Sequence, residues 1–184
     1  MITRYLTASA GFEKVLRAVS ADGWTAGTPC TEWNVRQLVN HVVRGNHLNH
    51  IMLTRPAQAM DYRRSAAEDV LGDDPLQAFA ESTQICAEAF RQHPDAKLVY
   101  PMGPIPASRA LALRTTDVII HTWDLARAIG ADETLNPELV AWADDAFAET
   151  YAGLLDRPGV FATPVGAAPV ERQAAFLHRA GRNP

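Results

Sequence analysis

The feature that most constrains the fold is a series of helix start and stop signals along the chain. Asn34 is a good N-cap with Gln37 three residues later, which together form a capping box. Asp74 and Asn136 are each followed by proline, which is favoured at the first helical position. Gly130 is typical of the left-handed residue that ends a helix. With apolar residues at helical spacing, these signals predict helices at about 4–19, 34–54, 75–92, 108–129, 137–155 and 170–180.

The pattern changes between the third and fourth of these helices. Residues 97–107 contain three prolines and allow at most short extended pieces and a turn, after which Ser108 is expected to cap the fourth helix. Long helices joined by moderate connections predict an all-α bundle whose function depends on side chains of facing helices. At 184 residues, we expect one domain, 1–184, in which residues from about 157 to 184 form a short C-terminal extension.

Composition and charge exclude several classes of partner. Hydrophobic residues make up 47% of the chain and charged residues 21%, which is ordinary for a soluble globular protein. The net charge of -4 gives no electrostatic reason to expect nucleic acid. The first residues lack the apolar run of a signal peptide, and no segment approaches the roughly 18 apolar residues of a membrane span. We therefore expect a cytoplasmic protein that binds neither nucleic acid nor a membrane.

Asp117 and His121 lie four residues apart in an apolar stretch of the predicted fourth helix. At that spacing both side chains project from one face, which also carries Leu113 and Leu125 and is expected to point inward. A buried carboxylate without a partner is costly, so the pair needs one. A divalent metal is a good candidate, because a carboxylate oxygen and an imidazole nitrogen on successive turns can converge on one ion. We select His41, on the second helix, as the third ligand.

The same residues allow a core without metal. Asp117 could accept a hydrogen bond from His121, and His41 alone could be a hydrogen-bonded core histidine. The remaining histidines are expected to be surface or solvated helix-end residues: His47, His50, His93 and His178.

Charged residues near the pair each have two interpretations. Asp124, three residues after His121, could orient that ring or could pair with Arg127 on the surface, and the surface pair is the simpler prediction. Arg109 and Arg114, like Arg127, could recognise a carboxylate or a sugar on a cosubstrate, but surface positions are the default expectation.

The tryptophans and cysteines are expected to be structural. Trp33 precedes the capping residue of the second helix and is predicted to form a hydrophobic staple with Leu38. Trp123 is predicted to pack in the core. Cys30 and Cys86 are expected to be reduced, and Cys30 to be structural because no general base can be placed beside it.

Two segments resemble a known family. Thr-Pro-Cys-Thr-Glu-Trp-Asn-Val-Arg-Gln-Leu-Val-Asn-His, at 28–41, resembles the pattern of the DinB-like bundle proteins related to the N-terminal domain of mycothiol-dependent maleylpyruvate isomerase. The second segment, His-Thr-Trp-Asp-Leu-Ala-Arg-Ala at 121–128, has an acidic residue four positions before its histidine. The resemblance extends over nearly the whole chain and includes Gly181 and Arg182 near its end. It implies an all-α, DinB-like four-helix bundle with a short C-terminal extension.

The resemblance also implies a ligand set and a chemistry. One histidine of the second helix, an acidic residue and a final histidine of the fourth would bind a divalent metal, zinc or alternatively nickel; here they are His41, Asp117 and His121. An open coordination position would accept a low-molecular-weight thiol such as mycothiol, which implies a thiol-dependent S-transferase or isomerase acting on a small electrophile. The maleylpyruvate isomerases differ in having Glu at the position of Asp117 and a longer C-terminal domain.

Two other functions stay open at this point. A metal ion could tie the second helix to the fourth in a metal-binding bundle protein without catalysis. Alternatively, a metal-bound water could serve a hydrolase. The assembly is also open, and a homodimer is compatible with the sequence.

Overall fold

A computed structural model describes residues 1–65, 67–155, 157 and 159–184 of the chain. In chain order its helices are α1 (Ile2–Leu16), α2 (Val35–Thr54), α3 (Ala59–Arg64), α4 (Pro75–Gln92), α5 (Ala107–Ala128), α6 (Pro137–Asp145), α7 (Phe147–Thr150) and α8 (Arg172–Arg179). Strands β1 (Lys97–Tyr100) and β2 (Gly103–Pro106) pair antiparallel in a small hairpin between α4 and α5. Among the described helices, none is long and apolar enough to cross a membrane.

The four longest helices form the bundle that was predicted. α2 packs most extensively against α4, and α1 against α5, while contacts of α1 with α4 and of α2 with α5 close the ring. Several large side chains of these helices are fully buried in the core: Tyr5, Phe12, Leu38, Phe79 and Trp123. Because α2 and α5 are neighbours, residues on their facing sides can share one site.

The local helix signals are confirmed. The Asn34 side chain accepts a hydrogen bond from the Gln37 backbone N–H, and the Gln37 side chain accepts one from the Asn34 N–H, both at 2.9 Å. The side chains of Asp74 and Asn136 likewise accept hydrogen bonds from backbone N–H groups in the first turns of α4 and α6. Gly130, just past the end of α5, has a φ of 66°. These signals act within a few residues, so the local sequence was sufficient to predict them.

The starts and ends of other helices differ from prediction where distant contacts decide them. Ser108 is not a cap, because α5 already begins at Ala107, whose backbone N–H donates to Ala96 O (2.9 Å) across the base of the hairpin. α6 ends at Asp145 instead of continuing to about residue 155. The chain then turns into α7 and buries Phe147 and Tyr151. α1 ends earlier than predicted, and the short α3 was not predicted.

The C-terminal segment is integrated into the packing. Within the predicted extension of about 157–184, Pro158 lies outside the described residues. The α8 helix packs on α6, with Phe176 and Leu177 both 0% exposed. The segment also contacts α7: the ring of Phe161 stacks on that of Phe147 at a centroid distance of 5.6 Å. Near its end the segment also binds the carboxyl-terminal half of α5, through Asp124 and Arg127, and so covers one side of the bundle there.

Candidate metal centre

Three side chains from two facing helices converge between α2 and α5. His41 Nε2 lies 3.7 Å from Asp117 Oδ2, and His121 Nε2 lies 3.5 Å from Asp117 Oδ1. One donor atom from each residue lies within 4.8 Å of the others. Ligands at about 2.0–2.1 Å from a tetrahedral zinc ion are about 3.3–3.5 Å apart, so these donor atoms would move closer together to share one ion. Two imidazole nitrogens and one carboxylate oxygen are also donors that zinc and nickel accept.

The cluster is open on one side. The His121 side chain is 6% exposed, whereas Asp117 is 31% and His41 38% exposed. A cavity of about 570 Å³ faces the three residues, and it is also lined by Cys30, Trp33, Phe161 and Arg182. A second cavity of about 570 Å³ lies on the other side of Trp33 and His41 and is lined by Arg44, Tyr62 and Arg63. Small molecules therefore have space beside the cluster.

Asp124 fixes the orientation of the His121 ring. Its Oδ2 lies 2.8 Å from His121 Nδ1, and Arg182 donates to both of its oxygens, from Nε to Oδ1 at 3.0 Å and from Nη2 to Oδ2 at 2.7 Å. Burial alone would raise the pKa of Asp124, but the hydrogen bonds from His121 and Arg182 outweigh it and lower the pKa to about 2. An ionised carboxylate only accepts, so His121 Nδ1 carries the proton and Nε2 is the nitrogen that faces Asp117.

Arg114 holds the other carboxylate. Its guanidinium forms an ion pair with Asp117 Oδ2 although Arg114 is only 5% exposed. The Arg114 guanidinium lies directly against Gly45 of α2, where the Cβ atom of any other residue would collide with it. Burial would raise the pKa of Asp117, but Arg114 and His121 outweigh it, and the pKa lies well below its usual value. Asp117 is therefore ionised at neutral pH.

The two histidines of the cluster differ electrostatically. Burial acts to lower the pKa of His121, but Asp117 and Asp124 outweigh it, so the pKa is raised well above its usual value. The position between two carboxylates therefore favours positive charge. Desolvation lowers the pKa of His41, although Asp117 acts in the opposite direction. His41 is consequently neutral at pH 7 and offers a lone pair.

The prediction about the partner of Asp124 was wrong. Asp124 does not pair with Arg127 on the surface: it is completely buried and binds His121 and Arg182. Arg127 instead forms an ion pair with Glu133, Nη2 to Oε2, at 3.0 Å. His121 and Arg127 each lie three residues from Asp124, so local spacing did not decide between them. The deciding partner, Arg182, lies 58 residues further along the chain.

The prediction of a surface position was also wrong for Arg114, which is buried beside Asp117. Arg109 is half-buried and donates to the carbonyl oxygens of Thr150 and Ala152, so it ties α5 to the end of α7 and the residues just after it. Arg114 lies on an apolar helix, three residues before Asp117. That spacing was the signal that could have predicted a buried ion pair between them.

Trp33 and Cys30 were predicted to be structural, and both lie beside the candidate site. The ring centroid of Trp33 lies 4.6 Å from that of His41 and 6.0 Å from that of His121, so Trp33 borders the cluster, a position beyond the predicted staple. Cys30 Sγ lies 3.4 Å from Asp124 Oδ2 and 3.2 Å from Arg182 Nη2. Trp123 is 1% exposed in the core, as predicted.

The other histidines lie apart from the cluster of three. His47 Nδ1 lies 3.2 Å from the hydroxyl oxygen of Tyr62, and both His47 and His50 are half-buried where full surface positions were expected. His93 is also half-buried. The prediction of a solvated His178 was wrong: it is 8% exposed, and its Nε2 lies 3.3 Å from Val165 O because the C-terminal segment folds over it.

The fold and the site together define the class of protein. It is a four-helix bundle with a candidate metal centre, where two histidines and a carboxylate converge between adjacent helices. Residues 5–126 match the family described as the mycothiol maleylpyruvate isomerase N-terminal domain. The chain belongs to this family, which confirms the resemblance inferred from its motifs.

Relatives and solved structures agree with this assignment. The chain is 34% identical over 131 residues to the "Uncharacterized protein Rv0738" and the "Uncharacterized protein MT0763" of two Mycobacterium tuberculosis strains, H37Rv and CDC 1551. The match covers 70% of this chain and 66% of each relative, so the chain spans just under two thirds of their length. The crystal structure of the mycothiol-dependent maleylpyruvate isomerase superposes with a TM-score of 0.62 at 15% identity, covering 88% of this chain and 74% of that one. A histidine-to-alanine mutant of that enzyme gives the same values. The DinB-like bundle fold is thereby confirmed.

Proposed function

We propose that this protein is a divalent-metal-dependent enzyme that uses a low-molecular-weight thiol of the mycothiol type. Its reaction would be S-transfer to a small electrophile or isomerisation of that electrophile. The observation that carries the proposal is the convergence of His41, Asp117 and His121 beside an open cavity of about 570 Å³. Membership of the mycothiol maleylpyruvate isomerase N-terminal domain family supports the choice of thiol.

We propose His41 Nε2, an oxygen of Asp117 and His121 Nε2 as ligands of zinc, with nickel as the alternative. Three protein ligands leave one coordination position open, as in catalytic rather than structural zinc sites. When bound, the metal would supply Lewis acidity and stabilise a thiolate at neutral pH. The neutral imidazole of His41 and the ionised carboxylate of Asp117 are in the protonation state that metal binding requires. His121, whose pKa is raised, would have to release its Nε2 proton when the metal binds.

The surrounding residues would keep this site in one geometry. Asp124 holds the His121 ring with Nε2 toward the cavity, and Arg114 holds the Asp117 carboxylate. Trp33 and Phe161 line the cavity and would exclude water from the reacting groups. A preorganised and partly dry site favours nucleophilic attack by a thiolate, because each charge interaction is stronger there than in water.

The test begins with elemental analysis of protein purified without a metal-chelating tag. Wild type should contain near-stoichiometric zinc or nickel, and His41→Ala should contain little. The cobalt-substituted protein is then titrated with a small thiol, and a thiol-dependent change in the cobalt absorption spectrum is expected. No metal in wild type after reconstitution would overturn the proposal. Bound metal that does not respond to any thiol would leave a metal-binding bundle or a hydrolase.

A further inference from the structure

The C-terminal segment contributes to the candidate site although it lies beyond the residues that match the family. The family match stops at residue 126. One wall of the cavity that faces His121 is nevertheless formed by residues beyond that point: Gly159, Val160, Phe161, Ala162, Gly181 and Arg182. The site of this chain is therefore complete only with its C-terminal segment in place.

Arg182 makes the most specific of these contacts. Its Nε donates to Asp124 Oδ1 at 3.0 Å and its Nη2 to Asp124 Oδ2 at 2.7 Å, which is a two-pronged ion pair. The Arg182 side chain is 10% exposed, and Asp124 is fully buried. A guanidinium that binds both oxygens of a carboxylate fixes the plane of that carboxylate as well as its position.

The backbone delivers Arg182 to a fixed place. Its N–H donates to Leu177 O at 2.9 Å, and its Nη1 donates to Ala180 O at 2.8 Å. The preceding residue, Gly181, has a φ of 73°, and a Cβ there would collide with the backbone of Ala162. Glycine thus permits both the left-handed turn and the close approach of the two backbone segments.

We infer that Arg182 is a positioning residue of the candidate metal centre. Arg182 holds Asp124, Asp124 holds His121 Nδ1 at 2.8 Å, and His121 presents Nε2 to the metal. Without Arg182 the buried carboxylate would lose its only described arginine partner, and its plane would be free to turn with the imidazole. Groups that hold a ligand histidine typically change metal affinity about 10–100-fold when removed. The inference rests on the metal ligands proposed above.

The experiment compares Arg182→Gln, Arg182→Lys and the control Arg179→Gln. Arg179 belongs to α8 in the same segment, but it pairs with Asp144, is 48% exposed and does not line the cavity. Loss of Arg179 therefore reports on general loosening of the segment. Zinc affinity is measured by competition with a chromophoric chelator, and the coordination geometry by the absorption spectrum of the cobalt form.

We expect Arg182→Gln to bind zinc about 10–100-fold more weakly and to change the cobalt spectrum. Arg182→Lys, which keeps the charge and one hydrogen bond, should be intermediate, and it provides the test if the glutamine variant does not fold. Arg179→Gln should match wild type. The inference is overturned if both Arg182 variants bind zinc as wild type does, or if Arg179→Gln loses as much affinity as they do. A wild type that binds no zinc overturns the proposed function itself.

Discussion

Asp124 Oδ2 lies 2.8 Å from His121 Nδ1, one turn further along α5, and no part of Asp124 is exposed. Since the pKa of Asp124 is about 2, the carboxylate stays ionised and can only accept a hydrogen bond from the Nδ1–H of His121. This contact determines which nitrogen of His121 is available to the cavity. Carboxylate–histidine pairs of this kind support the ligands of many metal sites.

The first prediction concerns this carboxylate. Asp124→Asn retains the shape of the side chain but removes the charge that holds both His121 and Arg182. We expect zinc affinity to fall about 10–100-fold, as measured by chelator competition, and the melting temperature of the metal-free protein to fall as well. The matched control is Asp132→Asn, because Asp132 is exposed and accepts a hydrogen bond from its near neighbour Thr134. Equal zinc affinity in the two variants would contradict the role given to Asp124.

The sequence predicted the ligand trio and the helices better than it predicted the groups that support the trio. His41, Asp117 and His121 could be selected because helical spacing places Asp117 and His121 on one face, and because the motif around His41 resembles a known family. The structure brings all three together. Their role as ligands stays a prediction.

The roles of Arg182 and Arg114 were not predicted, because the residues that determine their positions are distant in sequence. Arg182 reaches Asp124 across 58 residues, and no local pattern distinguishes that contact from an Asp124–Arg127 pair one turn away. The buried position of Arg114 depends on Gly45 in another helix. Long-range packing also ends α6 early, because the aromatic residues that follow pack against the C-terminal segment.

The second prediction tests the ligand set. His121→Ala and Asp117→Ala should each reduce bound metal sharply, because two remaining ligands hold a divalent ion weakly. His50→Ala, on α2 but outside the cluster, should leave the metal content unchanged. Elemental analysis of the three purified variants beside wild type gives the result. Equal metal content in all of them would rule out this ligand set.

The third prediction concerns removal of the metal. A ligand that binds only the folded state adds about 2.7 kcal/mol at a hundredfold excess over its Kd. For a domain of this size we expect chelation to lower the melting temperature by about 5–10 °C. Differential scanning calorimetry with and without EDTA measures this shift. His41→Ala should melt at the same temperature in both conditions, and a similar EDTA effect in that variant would place the stabilising metal elsewhere.

The last prediction uses two glycines within helices. In Gly45→Ala the new Cβ would collide with the Arg114 guanidinium, so the arginine must move and release Asp117. Alanine favours a helix over glycine by about 1 kcal/mol, yet overpacking and the strained ion pair should lower the free energy of unfolding by about 1–3 kcal/mol. Gly11→Ala in α1 meets no atom within 4 Å and should raise it by about 0.5–1 kcal/mol. Urea denaturation of the metal-free proteins compares the two. Stabilisation by both substitutions would show that Arg114 does not need the space at Gly45.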